Sequence, residues 1–304
     1  MEILRPWWLA LLVFTILIVV RYVGWLRWRR RVLVRRRGWG TPLKPYALAL
    51  SAGNELFVTD EHKSVWIYNL NGRLRLAATA PSKVIRGLTL SPTTPQAVLV
   101  ADADADRIHV LDTKGKAVGS IRGTLAGQDV APHGLLFLPN GHLLVCDNRN
   151  LGLVEYDSKA QLLNQAFAPQ GSKLGQVDRP RQMAYDPTRK EIYVADRDND
   201  RVQVFDLTRK AIREFGNVPS AKGGKLNQPH GVALDPAAGI VYVGDTYNGR
   251  IAVYTTAGRF LCEYKDSAFG RPRWMAVDPK TRHLFVASHP SQSIGVFELV
   301  WRWN

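Results

Sequence analysis

Two histidines sit in the same tripeptide, Pro-His-Gly, at His133 and His230. An imidazole titrates near neutrality, so a converging pair can serve as acid and base or as metal ligands. Tyr46, Arg181 and Arg273 also follow a proline, and Arg86 falls at the equivalent place in the one copy that lacks it. Tyr46, Arg86, His133, Arg181, His230 and Arg273 are therefore the expected ligand-binding set. Guanidinium forks match carboxylate or phosphate, and low-dielectric walls would focus their field. The sequence assigns no catalytic residue, and no P-loop, dinucleotide fingerprint or Gly-x-Ser-x-Gly elbow occurs.

The elements that would bring these six residues together are repeated strands. ELFVTD ends at Asp60, AVLVAD at Asp102, HLLVCD at Asp147, EIYVAD at Asp196, IVYVGD at Asp245 and HLFVAS at Ser288, at spacings of 42 to 49 residues. Each is preceded by an alternating apolar segment, opened by Pro45, Pro132, Pro180, Pro229 or Pro272 in five copies. Each is followed by a polar turn and further alternating runs such as LVEYD, VQVFD and IAVYT. Four short strands per unit of this length predict a propeller blade, and six units predict six blades. Residues 41–304 are then one all-β domain, with the six candidate residues opening the innermost strands around a central channel. Only six residues follow Glu298, too few for an outer strand in blade 6. RVLVRR at Arg31–Arg36 is one candidate to close that edge; an amphipathic helix on a membrane is the other.

The segments RPRQMAYDPTRKEIYVADRDNDRVQVF (179–205) and QPHGVALDPAAGIVYVGDTYNGRIAVY (228–254) resemble NHL repeats. The resemblance spans Tyr46 to Leu299 and implies a six-bladed NHL-type propeller. Such propellers serve as lyases, RNA binders and docking platforms, so the fold alone does not choose among them. His133 and His230, two blades apart, are also similar to the zinc site of the peptidylglycine amidating lyase propeller. The third position here is Tyr46, and catalytic zinc usually takes three protein ligands. No cofactor is therefore expected; zinc or calcium, if held, would be on His133 and His230. Asp102-x-Asp104-x-Asp106 and Asp196-x-Asp198-x-Asp200 open like calcium loops, but Arg107 and Arg201 replace the turn glycine, and Thr113 and Leu207 the closing glutamate. Instead, the aspartates that end the second strands, Asp102, Asp196 and Asp245, are expected to brace Arg107, Arg201 and Arg250 five residues on. Cys146 and Cys262, the two cysteines, fall within predicted strands as buried thiols.

The front end is a different object. Of the formal net charge of +15, residues 1–40 hold nine Arg and one Glu, with five of the nine Trp. Trp7 to Val20 is uncharged and almost wholly apolar, and extending it to Leu26 reaches spanning length. Residues 1–28 are read as a transmembrane anchor, with Trp7, Trp8, Arg21, Trp25 and Trp28 at the membrane interfaces. Residues 29–40 are a basic juxtamembrane segment. The arginines after the apolar run place the propeller on the cytoplasmic side, against anionic lipid.

The leading expectation is a membrane-held, non-catalytic module that docks a protein partner or acidic peptide at the basic channel face. The alternative is a propeller lyase or lactonase using His133 and His230, and a third reading is single-stranded RNA. Nucleic acid is the least expected partner, because stacking aromatics are not identifiable.

Overall fold

In the computed structural model, residues 29–42, 44–82, 84–92, 97–149, 151–217, 224–267 and 269–303 are described. They form six radial sheets. Blade 1 runs Pro45–Leu50, Glu55–Asp60, Ser64–Asn69 and Leu74–Thr79; blade 2 runs Ile85–Leu90, Val98–Asp102, Arg107–Leu111 and Ala117–Ile121. Blade 4 is Met183–Asp186, Glu191–Asp196, Arg201–Asp206 and Ala211–Phe215; blade 5 is Gly231–Asp235, Ile240–Asp245, Arg250–Thr255 and Phe260–Lys265. All pairings within blades are antiparallel. The first strand of each blade touches the first strand of the next, and Pro272–Val277 of blade 6 touches Pro45–Leu50 of blade 1. The ring is thus closed at the axis.

Burial explains the sequence pattern. The second strands are covered on both faces by neighbouring blades, so Val98–Asp102, Leu143–Asp147 and Ile240–Asp245 are buried throughout and read as nearly continuous apolar runs. Outer strands alternate or are exposed, as in Leu74–Thr79. The core lies between blades: Tyr193, Val204, Val232 and Val243 pack blade 4 on blade 5, and Tyr242, Val286 and Phe297 pack blade 5 on blade 6.

Blade 3 departs from the four-strand unit. Its sheet has Pro132–Phe137, Leu143–Asp147 and Leu153–Tyr156 only, with isolated bridges from Leu153 to Ala168 and from Tyr156 to Leu162 beyond. The segment after Asp157 lacks an alternating run and is broken by Pro169 and Gly171, so no regular fourth strand forms.

Blade 6 is Pro272–Val277, Leu284–Ser288, Ser293–Trp303 and, on its outer edge, Arg29–Gly40. The segment is a strand, not a surface helix. It pairs antiparallel with the chain's last strand, Leu33 opposite Leu299 and Val34 opposite Glu298. Leu33 is 2% exposed and packs with Tyr242, Phe269 and Phe297. Trp39 packs against Tyr68 and Phe285, tying the strand to blade 1. Several arginines read as facing lipid are engaged with the propeller. Arg36 donates to Glu298 at 2.7 Å, Arg37 to Asn71 and the Leu70 carbonyl, and Arg35 stands over the Phe269 ring. The expected anchor, with Trp7, Trp8, Arg21, Trp25 and Trp28, lies outside the described residues. Among the described residues no helix is long and apolar enough to cross a membrane.

The strand-end aspartates brace the turns, with one correction. Asp196 accepts from Arg201 Nε at 2.7 Å and Asp245 from Arg250 Nε at 2.6 Å. Asp102 instead meets His109 at 3.3 Å, because Arg107 Nε turns to the Ala105 carbonyl. Cys146 is buried, whereas Cys262 is only half-buried because it lies on an outer strand.

Leu33→Ala should lower unfolding stability by about 2–5 kcal/mol, the usual cost of a buried leucine truncation. Arg36→Ala, which removes a half-exposed pair, should cost less than about 1 kcal/mol. Urea unfolding of both variants checks this; a silent Leu33→Ala would remove the strand from the ring.

Candidate functional site

The inner strands are irregular where the candidate residues sit. The ladder shifts register between Pro45 and Leu48, Ile85 and Gly87, Pro132 and Leu135, and Pro272 and Trp274. Such shifts re-aim side chains and are common beside functional sites. Arg181 and His230 precede the regular strands of blades 4 and 5, and their amides are held by the Ala195 and Gly244 carbonyls at 2.9 and 3.0 Å.

A backbone relay fixes the ring. A Cβ on Gly87 would lie 1.7 Å from the His133 carbonyl oxygen, and one on Gly134 would lie 1.9 Å from that of Arg181. The same approach in blade 4 becomes a hydrogen bond, Gln182 N–H to the His230 carbonyl at 3.1 Å. The residue after each of these site positions therefore bears on the site residue of the next blade. The glycine following Arg86, His133 and His230 is the sequence signal for this packing.

Side chains then meet across the axis. Tyr46 Oη lies 3.1 Å from His133 Nε2, joining blades 1 and 3. The Arg273 and Arg86 guanidiniums stand over the Tyr46 ring at 4.9 and 5.6 Å. His133 stacks on Trp274, 5.9 Å between centroids at 20°. Arg181 Nη1 donates to Asn148 at 2.6 Å, and Arg197 Nε donates to His230 Nε2 at 3.3 Å. Trp274, Asn148 and Arg197 were not identified from sequence. Trp274 follows a site arginine, but Asn148 and Arg197 lie on turns whose approach to the axis no local pattern encodes.

Charge at the axis is uneven. Arg86 is paired with Glu61, which also accepts from His289 at 3.0 Å. Arg197 is paired with Asp198 at 2.7 Å. Arg181 and Arg273 have no carboxylate within ion-pair distance among the described residues. His133, 1% exposed, is pushed well below the usual imidazole range by burial and then by Arg181. His230 is pushed the same way by burial, then by Arg181 and Arg273. Burial lowers Arg181 itself to about 10. The hydrogen bond from His289, together with Arg86, holds Glu61 at about 2.

The donor set does not suit a protein-bound metal. His133 Nε2 is committed to Tyr46 and His230 Nε2 accepts from Arg197, with cations around both. Among the described residues no three His, Cys, Asp or Glu gather as a metal site. The calcium-like aspartates are also engaged, Asp196 by Arg201, Asp198 by Arg197, and Asp200 by the Gln228 amide.

Two outcomes follow. Gly134→Ala should cost about 1–3 kcal/mol, because backbone rather than a flexible side chain meets the new Cβ; denaturant unfolding measures it. Stability should also fall in two acid windows. The unfolded chain protonates its histidines below the ordinary imidazole value of 6.5 while His133 and His230 stay neutral, so stability declines as pH drops through that value. Glu61 stabilises above 4.5, and that contribution is lost as pH falls toward about 2. Unfolding midpoints of Glu61→Gln against pH should lack the second window.

The fold and site can be set beside known proteins. The family described as "Lactonase, 7-bladed beta-propeller" matches residues 123–300, which span blades 3 to 6 and contain His133, Arg181, His230 and Arg273. No curated protein matches the chain. A streptogramin B lyase structure superposes with a TM-score of 0.61 at 13% identity, covering 89% of this chain and 98% of that one. A catalytically inactive histidine-to-alanine variant of virginiamycin B lyase from Staphylococcus aureus, solved with quinupristin, gives 0.60 at 18% identity, covering 89% and 88%. At these identities the two lyases share the fold. The family match takes in more than half of the 304 residues. Although six sheets rather than seven make up its ring, the chain belongs to the lactonase β-propeller family.

Proposed function

We propose that this chain is a propeller lyase or lactonase whose reaction centre is the axial cluster. Family membership favours this over the non-catalytic docking module. The observation that carries the site is a pair of imidazoles held neutral beside two guanidiniums with no carboxylate partner. A neutral imidazole keeps a lone pair for proton abstraction, and a preformed cation stabilises negative charge on a carbonyl oxygen.

Two reactions use the same groups. In a lactonase, His230 exchanges its 3.3 Å hydrogen bond from Arg197 for a water, and its Nε2 takes the proton of that water as the oxygen adds to the carbonyl. The ring C–O bond then breaks, and the alkoxide recovers the proton. In a lyase, the base removes a proton from the carbon next to a carbonyl, a C=C bond forms, and the C–O bond on the next carbon breaks to release a carboxylate. Arg181 and Arg273 face the oxyanion in either case. His133, with Tyr46 on its Nε2, is the second proton carrier.

A panel of lactones and cyclic esters assayed in 18O-enriched water separates the two. Hydrolysis places label in the product carboxylate; elimination leaves it unlabelled and creates a double bond. His133→Ala and His230→Ala should each lower kcat by about 10²-fold or more. Turnover unchanged in both variants would move the chemistry away from the axis.

A further inference from the structure

The edge ladder of blade 6 runs on past its own sheet. Leu284–Ser288 pairs with the chain's last strand only as far as Phe297, whereas Arg29–Gly40 follows that strand on to Trp303. From Leu33 with Leu299 to Arg29 with Trp303, the two strands therefore form a ribbon with no third strand beside it. The connections give its direction. Phe297 lies opposite Leu284, which follows the turn at 278–283 between the first and second strands. Tyr46 and its counterparts sit at the other end of the sheets, where Pro45 lies opposite Asp60 and Pro272 opposite Ser288. The ribbon thus leaves the ring on the face opposite the axial cluster. Leu299 and Val300 line a crevice with Thr281 and Arg282 of that turn. Only the last three pairs then pass the turns, a reach of about 10 Å at ~3.4 Å per residue.

Composition suits this far face to an anionic surface. The ribbon holds Arg29, Arg30, Arg31 and Arg302 with Trp301 and Trp303, and no acid beyond Glu298 at its base. Arginine and tryptophan are the residue types that settle at the headgroup level of a bilayer. Turns between first and second strands, and between third and fourth, share the ribbon's face, because successive antiparallel turns alternate between the two ends of a sheet. On them Lys114, Lys116, Lys190, Lys210, Arg259 and Lys280 are exposed, and among the described residues none has an acid within ion-pair distance. The acids there are held back: Asp112, Asp206 and Asp278 accept from the amides of Lys116, Lys210 and Lys280 at 2.9, 3.0 and 3.0 Å. On the site face Arg149 meets Asp106 at 2.8 Å, and Arg179 and Arg197 both meet Asp198.

We propose that the ribbon and the far face dock on a bilayer with anionic headgroups, which leaves the axial cluster turned toward water. The sequence argues for a bilayer over another polyanion. Trp7 to Leu26 is apolar and of spanning length, and it joins the chain at the ribbon's free end, just before Arg29. With the ribbon in the headgroup layer, the turn lysines lie within about one Debye length, ~8 Å at physiological salt, of the lipid charge. The docking does not depend on the chemistry proposed for the axis.

Hydrogen exchange on the full chain, in phosphatidylcholine nanodiscs with and without phosphatidylserine, reads the contact without any turnover. Peptides covering 112–116, 278–283 and 299–303 should exchange at least about tenfold slower in the serine-lipid discs, and molar salt should remove the difference. Peptides covering 197–200 and 246–249 on the site face should exchange equally in both. Lys114→Gln combined with Lys116→Gln and Lys280→Gln, all at exposed turn positions, should abolish the slowing at both turns. Equal exchange in the two lipids, slowing on the site face instead, slowing that persists in the triple variant, or a chain that stays off the anionic discs overturns the proposal. So does far-face slowing in detergent that grows with protein concentration, which would make a second copy the occupant.

Discussion

The close approach of backbone to backbone around the axis is the constraint on which the rest depends. Six inner strands meet there, and Gly87 and Gly134 leave no room for a side chain against the next blade's carbonyl. That contact sets the blade-to-blade distance at the axis and the direction in which Arg86, His133, Arg181 and their counterparts project. Gln182 shows how a larger residue satisfies the same geometry. Its amide bridges blades, donating to the Met275 carbonyl at 2.6 Å and accepting from Met275 and Val232 amides at 3.0 and 3.2 Å. A buried amide with its groups satisfied in this way adds specificity to the ring without leaving an orphan.

A ring that carries unpaired cations at its axis must be held firmly elsewhere, and arginines farther from the axis do so between blades, by ion pairs or by hydrogen bonds to a neighbour's carbonyl. Arg213 forks onto Glu191 and reaches the Thr256 carbonyl at 2.7 Å, linking blades 4 and 5. Arg282 meets Asp235 at 2.7 Å across blades 5 and 6, and Arg209 meets Glu155 at 3.0 Å across blades 4 and 3. These pairs are part-exposed, so each adds little alone. Their value is geometric, since they join neighbouring sheets at points the apolar core does not reach. The edge strand Arg29–Gly40 completes the arrangement by pairing the chain's front with its end.

Much of the fold was legible because each blade repeats one physical problem. A strand covered on both faces must be apolar throughout, and the turn after it needs an aspartate to gather free amides, as Asp60 does for His62 and Ser64 at 3.0 and 2.8 Å. Both signals recur at a fixed period. The missing fourth strand of blade 3 was harder to read, since it is an absence of pattern between Asp157 and Arg181. The six axial positions were legible from their shared place after the opening proline. Their partners were not. Glu61, Asn148, Arg197 and His289 reach the site from turns between the second and third strands, where each blade differs and periodicity carries no information. Arg107 failed as the partner of Asp102 for a related reason: His109, two residues on, offered a buried ring within reach.

The same distinction separates scaffold from chemistry. Asp196 and Arg201 are buried together; Asp196 accepts from Arg201 and the Asp178 amide, and Arg201 also donates to Glu214 and to the Lys173 and Gln176 carbonyls, so their charges are internally balanced. Arg181 is buried to a similar degree, yet its only hydrogen-bond acceptor is a neutral asparagine. Desolvation lowers its affinity for a proton, whereas Arg250, buried against two carboxylates, is raised. Within one molecule, then, the residue type and the depth are nearly constant and only the partner changes. A cation kept in the interior without a counter-charge retains its attraction for anions undiminished by water or by a fixed partner. Among the described residues the axis provides such a place: six strands converge there, and Arg181 and Arg273 stand without the acid that neutralises Arg86 and Arg197 beside them.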